Sequence, residues 1–490
     1  MKQKPTAELL EMDQAIALLK TTRPTFYRWL RAGKLKGMKV GRQWRFHRDD
    51  IERFLKGEQP RIDLPISVEP LITSLETQLQ KLGAETPPKS TENTTVQAVN
   101  LMVQLAVCSH ASDIHLAPQQ SQEHPKGGVS VRFRIDGVLQ PVAQFDIRLL
   151  GPIIEQWKIM AGCDLHERER PQDGRIMLRL DERQVDLRVS FLPTLLGESL
   201  TARVLSRDQA AVTLERFDLA PHNRDRLLRG LESPAGLILL TGPTGSGKTT
   251  TLYACLTQVN TPARKIVSIE DPVEYLLPGV VQVPVRQNTG MTFAAAARAL
   301  LRSDADVILI GEIRDNDTLQ VCFQAALTGR LVLSAMHTDE AATALIRMVD
   351  IGALPYLVTD ATKLIVAQRL VRRLCPDCSV AESLTPEIAD RVRQLAQAGG
   401  LVWEELPQDY RREVGCPKCL RTGFRGRTVI VEVLEVSPEI ADALQQGASP
   451  SELRAVAIRQ GMTTMVADGL AKAARGVTTI DEVVRVCGVR

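Results

Sequence analysis

The sequence predicts an α/β protein of several domains, and three observations carry that prediction. From about Phe217 onward, apolar runs of strand length alternate with helical patterns, as in a parallel sheet wrapped by helices. Residues 93–207 instead combine one helical run with alternating strands, the pattern of a small α+β domain. At 490 residues the chain exceeds what a single core sustains. Composition is that of folded protein, with 44% apolar and 24% charged residues. Aromatic residues reach only 4%, too few for an extended base-stacking platform. No run approaches the ~18–20 apolar residues of a membrane-spanning helix. The opening Met1-Lys-Gln-Lys-Pro5 leads into a charged helical pattern without an apolar leader, so a cytoplasmic location is expected.

The charge is unevenly spread. Residues 1–57 hold seven Lys and seven Arg against six carboxylates, a net +8, which leaves about −5 for the remainder. A basic head on a mildly acidic body confines contact with a polyanion to the head. Within residues 8–57 a first helix is expected from Asp13 to Leu19 and a second from Pro24 to Arg31. Thr22 is placed to cap the second helix, and Pro24 is tolerated in its first turn. Phe26, Trp29 and Leu30 form the buried face, while Thr25, Arg28 and Arg31 stay outside. Two short strands, Gly37–Val40 and Trp44–Phe46, turn at Gly41–Gln43, and Asp49 or Asp50 starts a last helix through Leu55. The pattern is a winged helix-turn-helix. Residues 58–92 have linker composition, with Pro60, Pro65, Pro70, Pro87 and Pro88, interrupted by an amphipathic run from Leu71 to Leu82.

In the α+β block, a helix is expected from Val96 to Cys108 and strands at Val129–Ile135 and Gln184–Val189. Further on, Leu237–Thr241 is a fully apolar strand. Gly242-Pro243-Thr244-Gly245-Ser246-Gly247-Lys248-Thr249-Thr250 follows it and runs into a helix through Leu256. Strand, glycine loop and helix in that order form a phosphate-binding loop. Its glycines let backbone N–H groups turn inward, and the helix N-terminus adds a favourable dipole. Lys248 would reach the β- and γ-phosphates of ATP, and the Thr249 hydroxyl would sit on Mg²⁺. Three more apolar strands end in polar residues. Lys265–Ile269 leads into Glu270-Asp271-Pro272-Val273-Glu274, Val307–Ile310 into Gly311-Glu312, and Leu331–Ser334 into Ala335-Met336-His337. The carboxyl ends of strands in an open parallel sheet converge on the ligand crevice, so acids from two strand ends and a histidine from a third are aimed at one place.

Two tight cysteine pairs, Cys375-x2-Cys378 and Cys416-x2-Cys419, are separated by 37 residues. Each pair can turn both sulfurs toward one ion, and two pairs complete a tetrahedral Zn²⁺ site. Four thiolates leave no open position, so the expected role is structural. Cys108, Cys163, Cys255, Cys322 and Cys487 stand alone.

Taken together, Gly242–Tyr253, Ile269–Tyr275, Gly311-Glu-Ile-Arg-Asp315 and Met336-His-Thr338 resemble the assembly ATPases of type II secretion systems and type IV pili, the GspE/PulE/PilB group. The resemblance covers residues ~93–490. Ser112–Leu116, Arg132–Gly137, Pro171–Arg175 and Asp186–Val189 extend it into the α+β block. It implies a RecA-like P-loop NTPase domain over residues 215–490, with a zinc subdomain at ~370–430 and C-terminal helices at 436–490, after a PAS-like domain at 93–207. By the same resemblance Glu274 would be the general base, Glu312 would hold the Mg²⁺ shell or assist positioning, and His337 would sense or orient the γ-phosphate. Arg298 and Arg302 lie on the family's arginine-containing helix. A homo-hexamer is implied, in which arginines of a neighbouring subunit complete the site, and Arg132, Arg134, Arg188 and Arg203 are the candidates. The implied partners are inner-membrane platform proteins of a secretion or pilus machine, and the implied place is the cytoplasm, peripheral to that membrane. Ala117-Pro118 and Leu195-Leu196 depart from the family pattern at partner-facing positions.

The head resembles the excisionase/MerR-type helix-turn-helix through Phe26–Gly33 and Lys39–Arg45. That resemblance implies a helix in the major groove, with Thr25, Arg28 and Arg31 toward DNA and Arg42 and Arg45 on the wing. Two alternatives stand beside it. The head can be a protein-docking adaptor, or the whole chain can be a DNA-associated ATPase or regulator that its head targets to DNA.

Overall fold

The computed structural model describes residues 9–31, 34–40, 43–56, 66–84, 94–120, 127–180, 183–206, 213–286 and 289–488. The chain divides into two units, Met1–Asp208 and Gln209–Arg490. Among the described residues, no helix is long and apolar enough to cross a membrane.

The first unit opens with β1 (Leu9–Glu11), α1 (Met12–Leu18), α2 (Arg23–Arg31), β2 (Met38–Val40), β3 (Gln43–His47) and α3 (Arg48–Leu55). The strands form an antiparallel sheet in the order β1-β3-β2. Sequence pattern left out β1, because a three-residue strand with only Leu10 buried has no readable period. Phe26, Leu30, Leu35, Phe46 and Ile51 are buried together, and Phe26 meets Phe46 edge-to-face at 5.0 Å. Trp29 is packed at the margin of this core. The last helix begins at Arg48, one residue before Asp49 and two before Asp50, and both aspartates lie in its first turn, where the helix dipole favours acids.

Next comes α4 (Glu69–Lys81), within the stretch of linker composition. Leu71, Ile72, Leu75 and Leu79 share one helical face, and all are buried in the core of the following block. That part of residues 58–92 is therefore core, and the flanking 57–65 and 85–93 lie outside the described residues. The block continues with α5 (Thr94–Cys108), β4 (Ala111–Gln119), β5 (Gly128–Ile135), β6 (Val138–Asp146), α6 (Leu150–Ala161), β7 (Gln172–Leu180), β8 (Arg183–Thr194) and β9 (Gly197–Ser206). Its sheet is antiparallel, in the order β6-β5-β4-β9-β8-β7. Ile114, Leu116, Val131, Phe133, Leu187, Val189 and Ala202 turn to the core with Trp157 of α6. Burial of each large side chain contributes roughly 1.5–3 kcal/mol before entropy is counted. Alternation along the strands sends Asp113, Arg132, Arg134, Arg188 and Arg203 to the opposite face.

The second unit runs α7 (Pro221–Glu232), β10 (Gly236–Thr241), α8 (Lys248–Val259), β11 (Ile266–Glu270), β12 (Val280–Pro284), α9 (Phe293–Leu300), β13 (Val307–Ile310), α10 (Asn316–Leu327), β14 (Leu331–Met336), α11 (Ala341–Asp350), α12 (Pro355–Ala361) and β15 (Thr362–Leu374). An insertion follows, with β16 (Val380–Ala381), α13 (Pro386–Ala398) and β17 (Arg411–Arg412). The unit then closes with β18 (Phe424–Glu435), α14 (Pro438–Gln445), α15 (Pro450–Arg459), α16 (Met465–Ala473) and α17 (Ile480–Cys487). The large sheet has the order β12-β11-β13-β14-β10-β15-β18, parallel except for β18, which is antiparallel to β15. Leu237 and Leu239 enter the core on one face, and Ile238 and Leu240 enter the core on the other. Burial on both faces explains why these strands read as unbroken apolar runs.

Candidate active site

The sheet order places the ends of β10, β14 and β13 side by side, although their residues lie far apart in sequence. The glycine loop leaves β10, and α8 begins at Lys248 after Gly247, which has φ +89° and offers no side-chain cap. The first N–H groups of α8 therefore lack a capping side chain and suit an anion. Gly242 has φ +148°, and a Cβ there would stand 2.4 Å from the Gln368 carbonyl oxygen and 2.7 Å from Ser246 Oγ. Only glycine fits that position. Gln368 of β15 braces the loop from behind, its Nε2 donating to the Ser246 carbonyl at 2.8 Å. Ser246 Oγ is buried without a hydrogen-bond partner.

Lys248 Nζ donates to the carbonyls of Gly242 at 2.7 Å and Pro243 at 3.1 Å, and it lies 3.5 Å from His337 Nδ1. Burial lowers its pKa, opposed by the charge of Glu312. His337 Nε2 is 3.1 Å from Glu312 Oε2, and Arg314 pairs with the other carboxylate oxygen. Burial alone would push the Glu312 carboxyl up, but hydrogen bonds from Arg314 and His337 outweigh it and hold the pKa below the usual range. Thr241 Oγ1 bonds the Thr338 hydroxyl at 2.7 Å and receives the Thr338 N–H at 2.9 Å, fixing the turn that carries His337. Lys248, His337 and Glu312 thus form one chain of contacts. A partly desolvated ammonium, backbone N–H groups, an orphan hydroxyl, Thr249 at the helix start and an ionised carboxylate are donors suited to a triphosphate with Mg²⁺.

Glu274 is exposed on the loop after β11, and its backbone N–H is 3.4 Å from Tyr253 Oη. Arg298 and Arg302 are exposed on and just beyond α9, and Arg302 bonds the Arg298 carbonyl at 3.3 Å. Among the described residues, neither arginine bonds Glu274, Glu312 or His337. The other arginine candidates share one face of the antiparallel sheet in the first unit. Asp113 pairs with Arg203 at 3.3 Å and Arg134 at 3.6 Å, and Arg188 stands opposite Arg203 in register. Arg132 Nε is buried and unpartnered.

All four sulfurs of Cys375, Cys378, Cys416 and Cys419 lie within 4.8 Å of one another. Cys375–Cys416 and Cys378–Cys419 are 3.9 and 3.8 Å apart, close to the ~3.8 Å edge of a tetrahedron with Zn–S bonds of about 2.3 Å. Against burial, N–H groups of Cys416 and Gly423 at 3.1 and 3.2 Å help bring Cys419 down to about 7, which favours the thiolate a metal needs.

In the head, Thr25 Oγ1 is 3.0 Å from Thr22 Oγ1. Arg28 and Arg31 are exposed and, with Pro24 and Tyr27, line an open cleft of about 590 Å³ that Gly162 and Asp164 complete. Arg42 lies outside the described residues. Arg45 pairs with Glu11 at 3.0 Å and bonds Gln43 at 2.8 Å. The pairing follows from β1, which the sequence did not reveal and which sets Glu11 opposite Arg45.

Sequence reasoning missed Gln368, Arg314 and Tyr253 as parts of this site. Gln368 had a signal, as a polar residue within the apolar run Leu364–Ala367 and Leu370–Val371 of β15. Tyr253 had a similar one, as a phenol on the buried side of α8.

The model for type II/IV secretion system proteins matches residues 89–485. The chain belongs to that family. A helix-turn-helix domain model matches residues 9–59, so this family member carries a helix-turn-helix at its N-terminal end. The chain is 42% identical over 412 residues to the type II secretion system protein E of Xanthomonas campestris pv. campestris, covering 83% of this chain and 69% of that one. It is 40% identical over 399 residues to the type IV pilus assembly ATPase PilB of Thermus thermophilus, covering 81% of this chain and 43% of that longer protein. In fold it is similar to the Legionella pneumophila ATPase DotB, with a TM-score of 0.59 at 19% identity over 81% of this chain and 97% of that one.

Proposed function

We propose that this family member hydrolyses ATP at the Gly242–Thr250 loop and that hydrolysis powers a type II secretion or type IV pilus machine. The observation that carries the reading is the chain from Lys248 through His337 to Glu312, with links of 3.5 and 3.1 Å across three neighbouring strand ends. The loop N–H groups and Lys248 bind the β- and γ-phosphates, and glycine at 242 keeps the backbone close to them. Glu274 accepts the proton of the attacking water as its oxygen bonds to the γ-phosphorus and the bridging P–O bond breaks. His337, oriented by Glu312, reports the presence of the γ-phosphate. Thr249 and Glu312 would hold Mg²⁺, which would offset negative charge on the phosphate oxygens. Arg298 and Arg302 are assigned an auxiliary part. Arg132, Arg134, Arg188 and Arg203 act across the subunit boundary of a homo-hexamer, supplying charge to the phosphoryl group of the next subunit. Zn²⁺ at the four cysteines is structural. The ring works in the cytoplasm, against inner-membrane platform proteins.

The +8 charge of residues 1–57 and the helix-turn-helix match favour DNA as a second partner, met by Thr25, Arg28, Arg31, Arg42 and Arg45. A reading in which the motor itself works on DNA differs in one measurable respect. ATP turnover by the purified chain is expected to vanish in Lys248→Ala. In Glu274→Gln it should fall at least about a hundredfold, the lower end of the range for loss of general-base assistance, with nucleotide affinity kept. Duplex DNA should leave the wild-type rate unchanged within twofold. Strong stimulation by DNA selects the DNA-associated motor, and turnover that survives Lys248→Ala removes the site altogether.

A further inference from the structure

The helix that follows the phosphate loop carries a buried phenol with no place in the mechanism above. Tyr253 lies five residues beyond Lys248 on α8 and is fully buried. Its hydroxyl donates to the carboxylate of Glu270, the last residue of β11, which is itself only 4% exposed. With the proton committed to Glu270, the phenol oxygen faces two donors. The backbone N–H of Glu274 is 3.4 Å away, and so is Gln282 Nε2 from the neighbouring strand β12. Gln282 in turn holds the same loop, donating to Glu270 at 3.1 Å and the Tyr275 carbonyl at 3.1 Å and receiving the Leu277 N–H at 2.8 Å. Among the described residues the Glu274 carboxylate itself has no hydrogen-bond or ion-pair partner, so these backbone anchors decide where it points.

We propose that Tyr253 is a positioning residue: its hydroxyl, held by Glu270, ties the helix carrying Lys248 and Thr249 to the backbone of Glu274. The inference rests on the proposed hydrolysis with Glu274 as base. A phenylalanine would fill the same volume and keep the edge-on contact with Tyr275, whose ring centre is 4.6 Å away. A buried hydroxyl costs stability unless its bonds are used, and here they join two halves of one site. Small misplacement of a reacting group lowers the rate without loosening the substrate.

The test uses the full chain and four readouts: kcat for ATP, the single-turnover rate, Kd for a fluorescent ADP analogue, and Tm. Tyr253→Phe should lower kcat roughly tenfold, an effect in the range of a small displacement of a reacting group, with Kd within twofold of wild type. In a Glu274→Gln background the same change should cost less than twofold in single-turnover rate, because the group it positions has gone. Gln282→Leu should give the same split and decides the matter should Tyr253→Phe fold poorly. Unchanged kcat, parallel loss of kcat and affinity, or a tenfold loss in both backgrounds overturns the proposal. Full activity of Glu274→Gln would instead overturn the role of Glu274, and the positioning role with it. Lys248→Ala separately establishes that the hydrolysis measured belongs to this site.

Discussion

Glu482 illustrates what one carboxylate can hold. Its side chain is 1% exposed, on α17, where it receives the Arg372 backbone N–H at 3.1 Å and pairs with the Arg372 and Arg485 guanidinium groups at 2.8 and 2.6 Å. Burial pushes its pKa up, but the two arginines and the N–H outweigh that and hold it below the ordinary carboxylate value. A folded-state pKa below the unfolded value of about 4.3 means that the stabilisation is complete above that pH and is lost as pH falls through the folded value. Glu482→Gln is therefore expected to lose about 1–3 kcal/mol in urea unfolding at pH 7, with the gap to wild type closing below about pH 4. A gap independent of pH would mean the charge is not what matters. None of this was legible in the sequence, since Arg372 is 110 residues away. Lys248, Glu312 and His337 were legible because each sits at a fixed offset from a strand end, whereas Gln368 and Tyr253 gain their meaning only from partners that the fold supplies.

At the scale of elements, the sequence revealed those with a clear period and missed those whose signal is diluted. The parallel strands stood out because burial on both faces makes them uniformly apolar. The run in α4 was visible too, but prolines on either side gave it the composition of a linker. The cysteine pairs were legible by spacing alone, and the fold adds what they hold. Cys375 follows directly on β15, and Cys416 and Cys419 precede β18, its antiparallel neighbour, with Leu374 opposite Phe424. A metal there would pin the ends of two paired strands and the base of the insertion, whose Val392, Ala396, Trp403 and Tyr410 pack on Leu470 and Ala473 of α16. Elemental analysis should find about one zinc per chain, the content expected of a closed four-thiolate site, and Cys378→Ser should lose it. Tm should then fall by several degrees, about 2–4 °C for each kcal/mol lost in a domain of this size, with nucleotide affinity kept within twofold. Loss of nucleotide binding alongside the metal would show that the centre supports the loop as well.

At the scale of the whole molecule, the two units divide the labour that the proposed cycle needs. The phosphate loop and its acids belong to Gln209–Arg490, while the sheet face bearing Arg132, Arg134, Arg188 and Arg203 belongs to Met1–Asp208. Asp113 is shared between Arg134 and Arg203, so that face keeps a surplus of positive charge. In a ring built from head-to-tail contacts, every subunit can offer its arginine face to one neighbour and its phosphates to the other. That arrangement makes a prediction no single chain could satisfy. Lys248→Ala has a dead loop and intact arginines, and an arginine variant such as Arg203→Ala has the reverse defect. Each is expected to be inactive alone. Mixed, dissociated and reassembled at equal amounts, they should regain turnover at up to about a quarter of the interfaces, the share expected from random order around a heterologous ring. Repeating the mixture with each of the four arginines identifies which one reaches across. Activity that never returns for any of them, in mixtures verified as hybrid assemblies by mass spectrometry, would place all four arginines outside the catalytic path and leave charge stabilisation to groups within one subunit.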